Sequence, residues 1–438
     1  MTSTEIIENE RKRDQLWFKV LVGLLLGFAI GSLVGPDLNF IDHTNAEARD
    51  VVLTLGQWIA LPGNIFLIML RFIVIPLVIS SVMLGIADGN DTSAIGMLGA
   101  GIIYFVITTT IAITIAFFVT SIIQPGAAMG AMTEGLVVPD IMQADIAGRS
   151  VPEMIRDAMP TNIIRHMADN AMLQLVIAAA IFGVAMLKMD KEESLPILDL
   201  MRSTQKVCMT IVMWLMQYAP IVVFGLIANT VLMNGFAAIE SVALFFVNVI
   251  IILLAMLGVY AILLKFVARR SPLEFFKKSR EVMVLAFSTS SSSATMPVTL
   301  EVAIDEHKMN KSVVGLVIPL GTTINMDGTA LYQAAAAIFI AQAYGIDLTT
   351  LQMVSIVVLT IAGSIGTPGI PSAGIPILAG ILASQGIPVE GIALIMGVDR
   401  LLDMSRTVVN VMGDLTAAAV LEKLIGKRFD KAAGKSKT

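Results

Sequence analysis

The stretch VDRLLDMSRTVVNVMGDL, Val398 to Leu415, decides how this chain is read. Wound as a helix, it sets Asp399, Asp403, Arg406, Thr407, Asn410 and Asp414 at spacings of three and four, so all share one face. Leu, Val and Met fill the opposite face. Apolar residues flank the stretch on both sides, GIALIMG before and TAAAVL after, so the polar stripe sits mid-way along a segment long enough to cross a bilayer. Charges at that depth are costly and are found paired with one another, with ions or with a substrate. A merely solvated face would mix Lys with Glu; this one carries Asp and Arg among short polar side chains.

The composition agrees with a membrane setting. Of 438 residues, 56% are hydrophobic and 14% charged, and the mean hydropathy of +0.84 lies far outside the soluble globular range. Residues 95–133, 207–239, 241–264 and 348–389 contain no Asp, Glu, Lys or Arg. Each holds at least one span of about 20 residues. The net charge of -5 carries little meaning, because such chains sort charge by side of the membrane. The apolar run from Trp17 follows TEIIENERKRD without a small-residue cleavage site, which predicts a signal anchor and first helix rather than a cleaved leader. A single cysteine, Cys208, excludes an intrachain disulfide and a cysteine-based metal site.

Basic residues set the expected topology. Arg11, Lys12, Arg13 and Lys19, then Lys188, Lys191, Arg202 and Lys206, then Lys265 to Arg280, and finally Lys423 to Lys437 mark the cytoplasmic side, with both termini inside. Crossings are expected near 17–35, 52–86, 95–123, 170–187, 207–232 and 240–264, with the acidic connection 37–50 and the polar insert 134–169 outside.

After Arg280 the pattern changes. Residues 282–300 are centred on STSSSSATMP and residues 352–384 on SIGTPGIPSAGIP. Gly and Pro cost about 1 and 3 kcal/mol in a helix interior, so neither segment suits a continuous span. Each predicts a re-entrant helical hairpin whose tip is buried in protein at membrane depth. Charge counting leaves open the alternative of two full spans. Between them, 312–343 is apolar except at NMDGTALYQ, residues 325–333, which predicts a helix that unwinds at mid-membrane and offers carbonyl oxygens.

These motifs in order, TSSSSATMP, NMDGTALY, SIGTPGIPSAG and DRLLDMSRTVVNVMGD, resemble the dicarboxylate/amino acid:cation symporter family, the glutamate and aspartate transporters, along nearly the whole chain. The resemblance implies an all-α polytopic membrane protein with eight transmembrane helices plus two re-entrant helical hairpins. It implies a homotrimer in which 1–94 and 124–232 form a scaffold, while 95–123 and 233–425 form an elevator-type transport domain; 426–438 is a basic tail.

By the same resemblance, Arg406 clamps the substrate's side-chain carboxylate and Asp403 takes its amino group. Thr407, Asn410, Thr329, the serines Ser291, Ser292 and Ser293, and the second tip's Gly369 and Gly374 add contacts. Sodium ligands fall on Asp327, Asn325, Asn410, Asp414, Thr108 and Thr109, with backbone carbonyls near Gly321, Thr323, Met326, Ser364, Ile365 and Thr367. The expected function is sodium-coupled symport of L-aspartate or L-glutamate, with sodium co-transported, no nucleic-acid partner, and a prokaryotic inner membrane as its site.

The chemistry of the residues points the same way. Arg offers a rigid, always-charged fork for a carboxylate, and Asp403 suits an ammonium. Asp327, Asp399, Asp403 and Asp414 against Arg406 leave excess negative charge, so a cation must accompany the substrate; oxygen ligands without Cys or His point to an alkali ion. Two departures from the family pattern stand out. Ser290 and Met404 occupy positions where members often carry a second arginine, and Gln333 replaces a glutamate of many eukaryotic members; Gln holds no proton, so coupling to sodium alone is expected. Arg400 reads as a structural salt bridge.

Other readings remain. A C4-dicarboxylate carrier would leave Asp403 unpaired, and a neutral amino acid carrier would leave Arg406 unpaired. An ion channel has no need of Asp and Arg poised for a zwitterion. A serine hydrolase on Ser290 to Ser293 needs a base within reach, and His43, His166 and His307 lie in polar connections.

Overall fold

The computed structural model describes residues 19–20, 22–35, 46–87, 95–129, 156, 159–169, 171–186, 188–234, 236–364, 369 and 371–434. All regular structure among them is helical. This is what an apolar solvent demands, because a helix satisfies its own backbone. The expected basic cluster Arg11 to Arg13, most of the insert 134–169, and Ile365 and Thr367 lie outside the described residues.

The longer described helices of the first half are α1 (Val22–Val34), α2 (Ala46–Ala87), α3 (Ile95–Ile123), α4 (Met172–Met186), α5 (Lys191–Gln217), α6 (Ala219–Asn234) and α7 (Phe236–Phe266). Asp50–Leu84, Gly99–Ile123 and Ile239–Phe266 are each long and apolar enough to cross a bilayer. α2 packs along α4, α5 and α6. α1 approaches α6 through Gly23, Gly27, Gly31 and Gly35; a Cβ on Gly27 would lie 2.6 Å from the Phe224 carbonyl oxygen, so only glycine permits this backbone separation.

The crossing expected at 207–232 is not straight. α5 and α6 meet at a 62° bend at Tyr218. Pro220, in the first turn of α6, lacks an N–H and would drive its ring against the carbonyl four residues back in a continued helix. α5 also begins much earlier than expected, at Lys191. Glu192 and Glu193 in its first turn complement the helix dipole, so the connection expected there is largely helical.

Among the described residues the second half brings seven further helices of ten or more residues, besides a short one at Pro272–Lys278. α8 (Arg280–Thr289) and α9 (Ser292–Asp305) form one pair, α12 (Thr350–Ser364) and α13 (Gly374–Ser384) another. These arms of 10, 14, 15 and 11 residues are too short to cross singly. Between the pairs run α10 (Lys311–Ile324) and α11 (Asp327–Ala343), and α14 (Ile392–Gly434) closes the chain. α14 extends helically through most of the segment expected to be a basic tail. α11 is buried on nearly all sides, against α3, α7, α12 and α14.

The break in 312–343 is narrower than the expected 325–333. Only Asn325 and Met326 leave the helix, and Asp327 already begins α11. The Met326 carbonyl accepts the Ala330 N–H at 2.8 Å, and Asp327 at the new N-terminus suits the dipole.

Candidate functional site

The two short pairs meet at their tips. α8 ends in Ser290 at φ 49°, a left-handed turn that reverses the chain. Ser291 caps α9: its Oγ accepts the Ala294 N–H at 3.2 Å and donates to the Gly369 carbonyl at 2.6 Å. The Ser293 N–H donates to the same carbonyl at 3.1 Å. Below this junction a small cavity gathers Ser292, Thr329, Gly369, Gly374, Asp403, Thr407 and Asn410, with Ser290, Met326 and Ala373 completing the wall. Residues from four separate motifs thus line one space.

Arg406 stands beside that cavity, 1% exposed. Its Nη2 donates to Asp403 Oδ1 at 2.8 Å and Asp399 Oδ1 at 3.1 Å, and its guanidinium lies 3.8 Å over the Tyr332 ring. Its Nε and Nη1 have no hydrogen-bond partner in the protein. That leaves a buried fork with spare donors, the geometry that takes a carboxylate. Asp403 Oδ2 accepts the Ser372 N–H at 3.0 Å. Thr407 Oγ1 bonds back to the Asp403 carbonyl at 2.8 Å. Asn410 binds the break between α10 and α11: its Oδ1 accepts the Gly328 N–H at 2.7 Å, and its Nδ2 reaches Thr329 Oγ1 at 3.2 Å and Met326 Sδ at 3.3 Å.

One helical turn further along α14 is an oxygen-rich region. Asp327 Oδ1 accepts from Thr109 Oγ1 at 2.6 Å, and Oδ2 from the Tyr260 hydroxyl at 2.7 Å. Asn325 Nδ2 donates to Asp414 Oδ1 at 2.9 Å, while Asn325 Oδ1 is buried without a partner. Gly321 admits the Asp414 carboxylate; a Cβ there would lie 2.4 Å from Asp414 Oδ1. The adjacent threonines differ. Thr108 Oγ1 bonds back to the Phe105 carbonyl at 3.1 Å, whereas Thr109 crosses to Asp327. The Thr323 side chain is exposed and donates to the Leu320 carbonyl at 2.9 Å. Ser364 is buried and bonds to the Ile361 carbonyl at 2.7 Å.

Three contributors escaped sequence reasoning, Tyr260, Tyr332 and the Ser372 amide, while Arg400, expected in a salt bridge, has its Nη1 3.6 Å from Asp403 Oδ2. Tyr260 carried a signal, as the one tyrosine inside the apolar run of α7; a buried tyrosine OH needs a partner. Among the described residues the serine run has no histidine beside it. His307 pairs with Ser279 at 2.9 Å and His166 with Thr161 at 3.3 Å. Counting Arg400 together with Arg406, the four buried aspartates still exceed the arginines by two. Desolvated carboxylates in this number call for cations.

A family model described as the sodium:dicarboxylate symporter family matches residues 16–424. The proton/glutamate-aspartate symporter of Escherichia coli (strain K12) is 34% identical over 427 residues, 95% of this chain and 94% of that protein. The proton/sodium-glutamate symport protein of Bacillus caldotenax is 33% identical over 434 residues, 97% of each. Excitatory amino acid transporter 3 of Mus musculus is 31% identical over 458 residues, 93% of this chain and 86% of that protein.

Proposed function

The chain belongs to the sodium:dicarboxylate symporter family, and from that premise we propose that it is a sodium-coupled symporter of acidic amino acids. The observation that carries this reading is the buried Arg406 fork, with two nitrogens free of hydrogen bonds, beside Asp403 in a cavity under two meeting tips. Arg406 takes the side-chain carboxylate of L-aspartate or L-glutamate. Asp403 exchanges its bond to Arg406 for the substrate ammonium. Thr329, Thr407, Asn410 and the serine tip hold the α-carboxylate.

Sodium is carried with the substrate. Asp327 and Asp414, with Asn325, Asn410, Thr109 and the backbone near Gly321, Thr323 and Met326, supply hard oxygen donors; the unpartnered Asn325 Oδ1 fits such a cation. Gln333, whose Nε2 donates to the Gly374 carbonyl at 3.0 Å, offers no carboxylate for a proton. α1, α2 and α4 to α6 form the scaffold. α3 and residues 233–425 form the transport domain, which moves as an elevator gated at the second tip, within a homotrimer in the plasma membrane. The two short pairs are the re-entrant hairpins, and the bent and broken helices complete eight spans.

The test is uptake of labelled L-aspartate into proteoliposomes under an inward sodium gradient, compared with an equal proton gradient. Accumulation that needs sodium and is blocked by glutamate but not serine is expected. Accumulation driven by protons without sodium would reject the coupling ion, and competition by serine would reject the role of Arg406.

A further inference from the structure

The end of α7 and the chain after it form a surface that takes no part in the cavity around Asp403. Along α7 the exposed side chains Val247, Ile251, Leu254, Ile262 and Phe266 fall on one helical stripe, and the portion able to cross a bilayer ends at Phe266. Exposed apolar surface goes on past that end. Phe266 is 69% exposed, and Leu273, in the short helix Pro272–Lys278, is 83% exposed. The same short helix turns Phe275 inward, where its ring stacks 4.1 Å from His307, so Leu273 is left on the outer side.

Cations flank these two side chains. Lys265, Arg269, Lys277 and Arg280 are exposed, and among the described residues none of them has an ion-pair partner. Lys265 Nζ lies 5.5 Å from the centre of the Phe266 ring. Arg270 and Lys278 are already engaged by Glu422 and Glu274. The four exposed cations therefore outnumber the one remaining acid of the segment, Glu281. In the neighbouring connection, Asp305 and Glu306 are matched by Lys308 and Lys311, which leaves the excess unchanged. Arg269 also stands at φ 55°, in the left-handed region that favours glycine, so the chain carries a charge there at a backbone cost.

Exposed Phe and Leu beside Lys and Arg, at the end of a spanning helix, fit one partner: a bilayer surface bearing anionic headgroups. The apolar side chains enter the acyl boundary while the cations meet phosphates. An acidic soluble protein would satisfy the cations but would not account for Phe266 closing a stripe that lies against hydrocarbon. We propose that Lys265 to Arg280 is an anionic-phospholipid site, with Phe266 and Leu273 as its apolar anchors and Lys265, Arg269, Lys277 and Arg280 as its headgroup ligands. Because α8 begins at Arg280, bound lipid grips the base of the helical pair whose tip lines the substrate cavity.

The experiment uses the full chain in proteoliposomes. Cys208, the single cysteine, is buried; it is removed as Cys208→Ala, and a fluorophore is placed at Leu273→Cys. Quenching is read with phosphatidylglycerol or phosphatidylcholine, each spin-labelled near the top of its acyl chain. At equal mole fraction phosphatidylglycerol is expected to quench at least about threefold more strongly. Raising the salt to about 0.5 M should abolish that preference, as should replacing the cations together as Lys265→Gln, Arg269→Gln, Lys277→Gln and Arg280→Gln. Should the fourfold variant fail to fold, the salt series on the unaltered cations decides. Equal quenching by the two lipids would reduce the segment to unselective interfacial burial, and weak quenching by both would put Leu273 in water and leave the face to an acidic soluble partner. Either result overturns the site, and so does a preference that survives high salt. Quenching requires no transport, so its outcome is separate from the fate of the proposed function.

Discussion

Two polar networks, one half-buried and one buried, are built on the same helix, α14, with centres about 24 Å apart along its axis, and they are composed differently. Further along the helix, Glu422 Oε2 accepts from Arg270 Nη2 at 2.7 Å and Oε1 from the Asn310 N–H at 2.6 Å. Arg270 Nη1 donates to the His307 carbonyl at 2.7 Å. The His307 ring pairs with Ser279 Oγ at 2.9 Å and stacks 4.1 Å from Phe275. Charge cancels and these contacts close on one another. Around Asp399, Asp403, Arg406 and Asp414, carboxylates outnumber guanidinium groups, and Arg406, Arg400 and Asn325 keep polar atoms without partners. A balanced network fastens helices together; an unbalanced one is completed by what it binds.

The comparison breaks if the unbalanced network turns out to hold the fold. Asp403→Ala is expected to lower aspartate uptake at least about 100-fold, by removing the ammonium partner and leaving that charge unpaired. The protein should still fold, because Arg406 keeps Asp399 as an ion-pair partner at 3.1 Å. Uptake into proteoliposomes read beside the thermal unfolding midpoint checks both halves. Robust aspartate transport by this variant would refute the assigned contact, and a collapse of stability would make Asp403 a fastening.

The two networks were also unequally legible. The polar stripe of α14 could be read directly, because helical spacing alone puts Asp399, Asp403, Arg406 and Asp414 on one face of an apolar segment. The short helical pairs were legible from their Ser, Gly and Pro centres for the same local reason. What spacing could not supply was any contact between distant segments: the Ser293 amide on Gly369, Tyr260 on Asp327, Ser372 on Asp403. The 62° bend between α5 and α6 was missed although Pro220 marks it, because the apolar run continues unbroken across it. The balanced network was invisible throughout. His307 reads as a residue of a polar connection, yet it is only 5% exposed.

The sharper side of the comparison is Glu422. Glu422→Ala removes the acceptor of both Arg270 and the Asn310 amide, and the expected cost is about 2 kcal/mol of stability. Sodium-driven uptake per folded molecule should keep its aspartate KM within about twofold, because Glu422 lies several helical turns from Asp403. A normal unfolding midpoint would show that the network fastens nothing. A KM that rises with unchanged stability would place Glu422 in the transport chemistry instead.

The smallest effect concerns pH. Burial pushes the His307 imidazole down to about 4, and the nearby Arg270 and Lys278 charges push the same way. In the unfolded chain it titrates near 6.5. Between these values the unfolded state binds the extra proton, so the stability contribution is complete above 6.5 and is lost as pH falls toward 4. Acidification from pH 7.5 to 5 should therefore cost the wild-type protein about 1 kcal/mol through this group, allowing for solvent screening. His307→Gln keeps a polar side chain facing Ser279 and cannot titrate. Its unfolding midpoint should fall less than that of wild type over the same interval. Equal falls would mean that the fold does not shift the His307 imidazole from its unfolded-state titration, and that burial beside Arg270 and Lys278 places no net penalty on its charge.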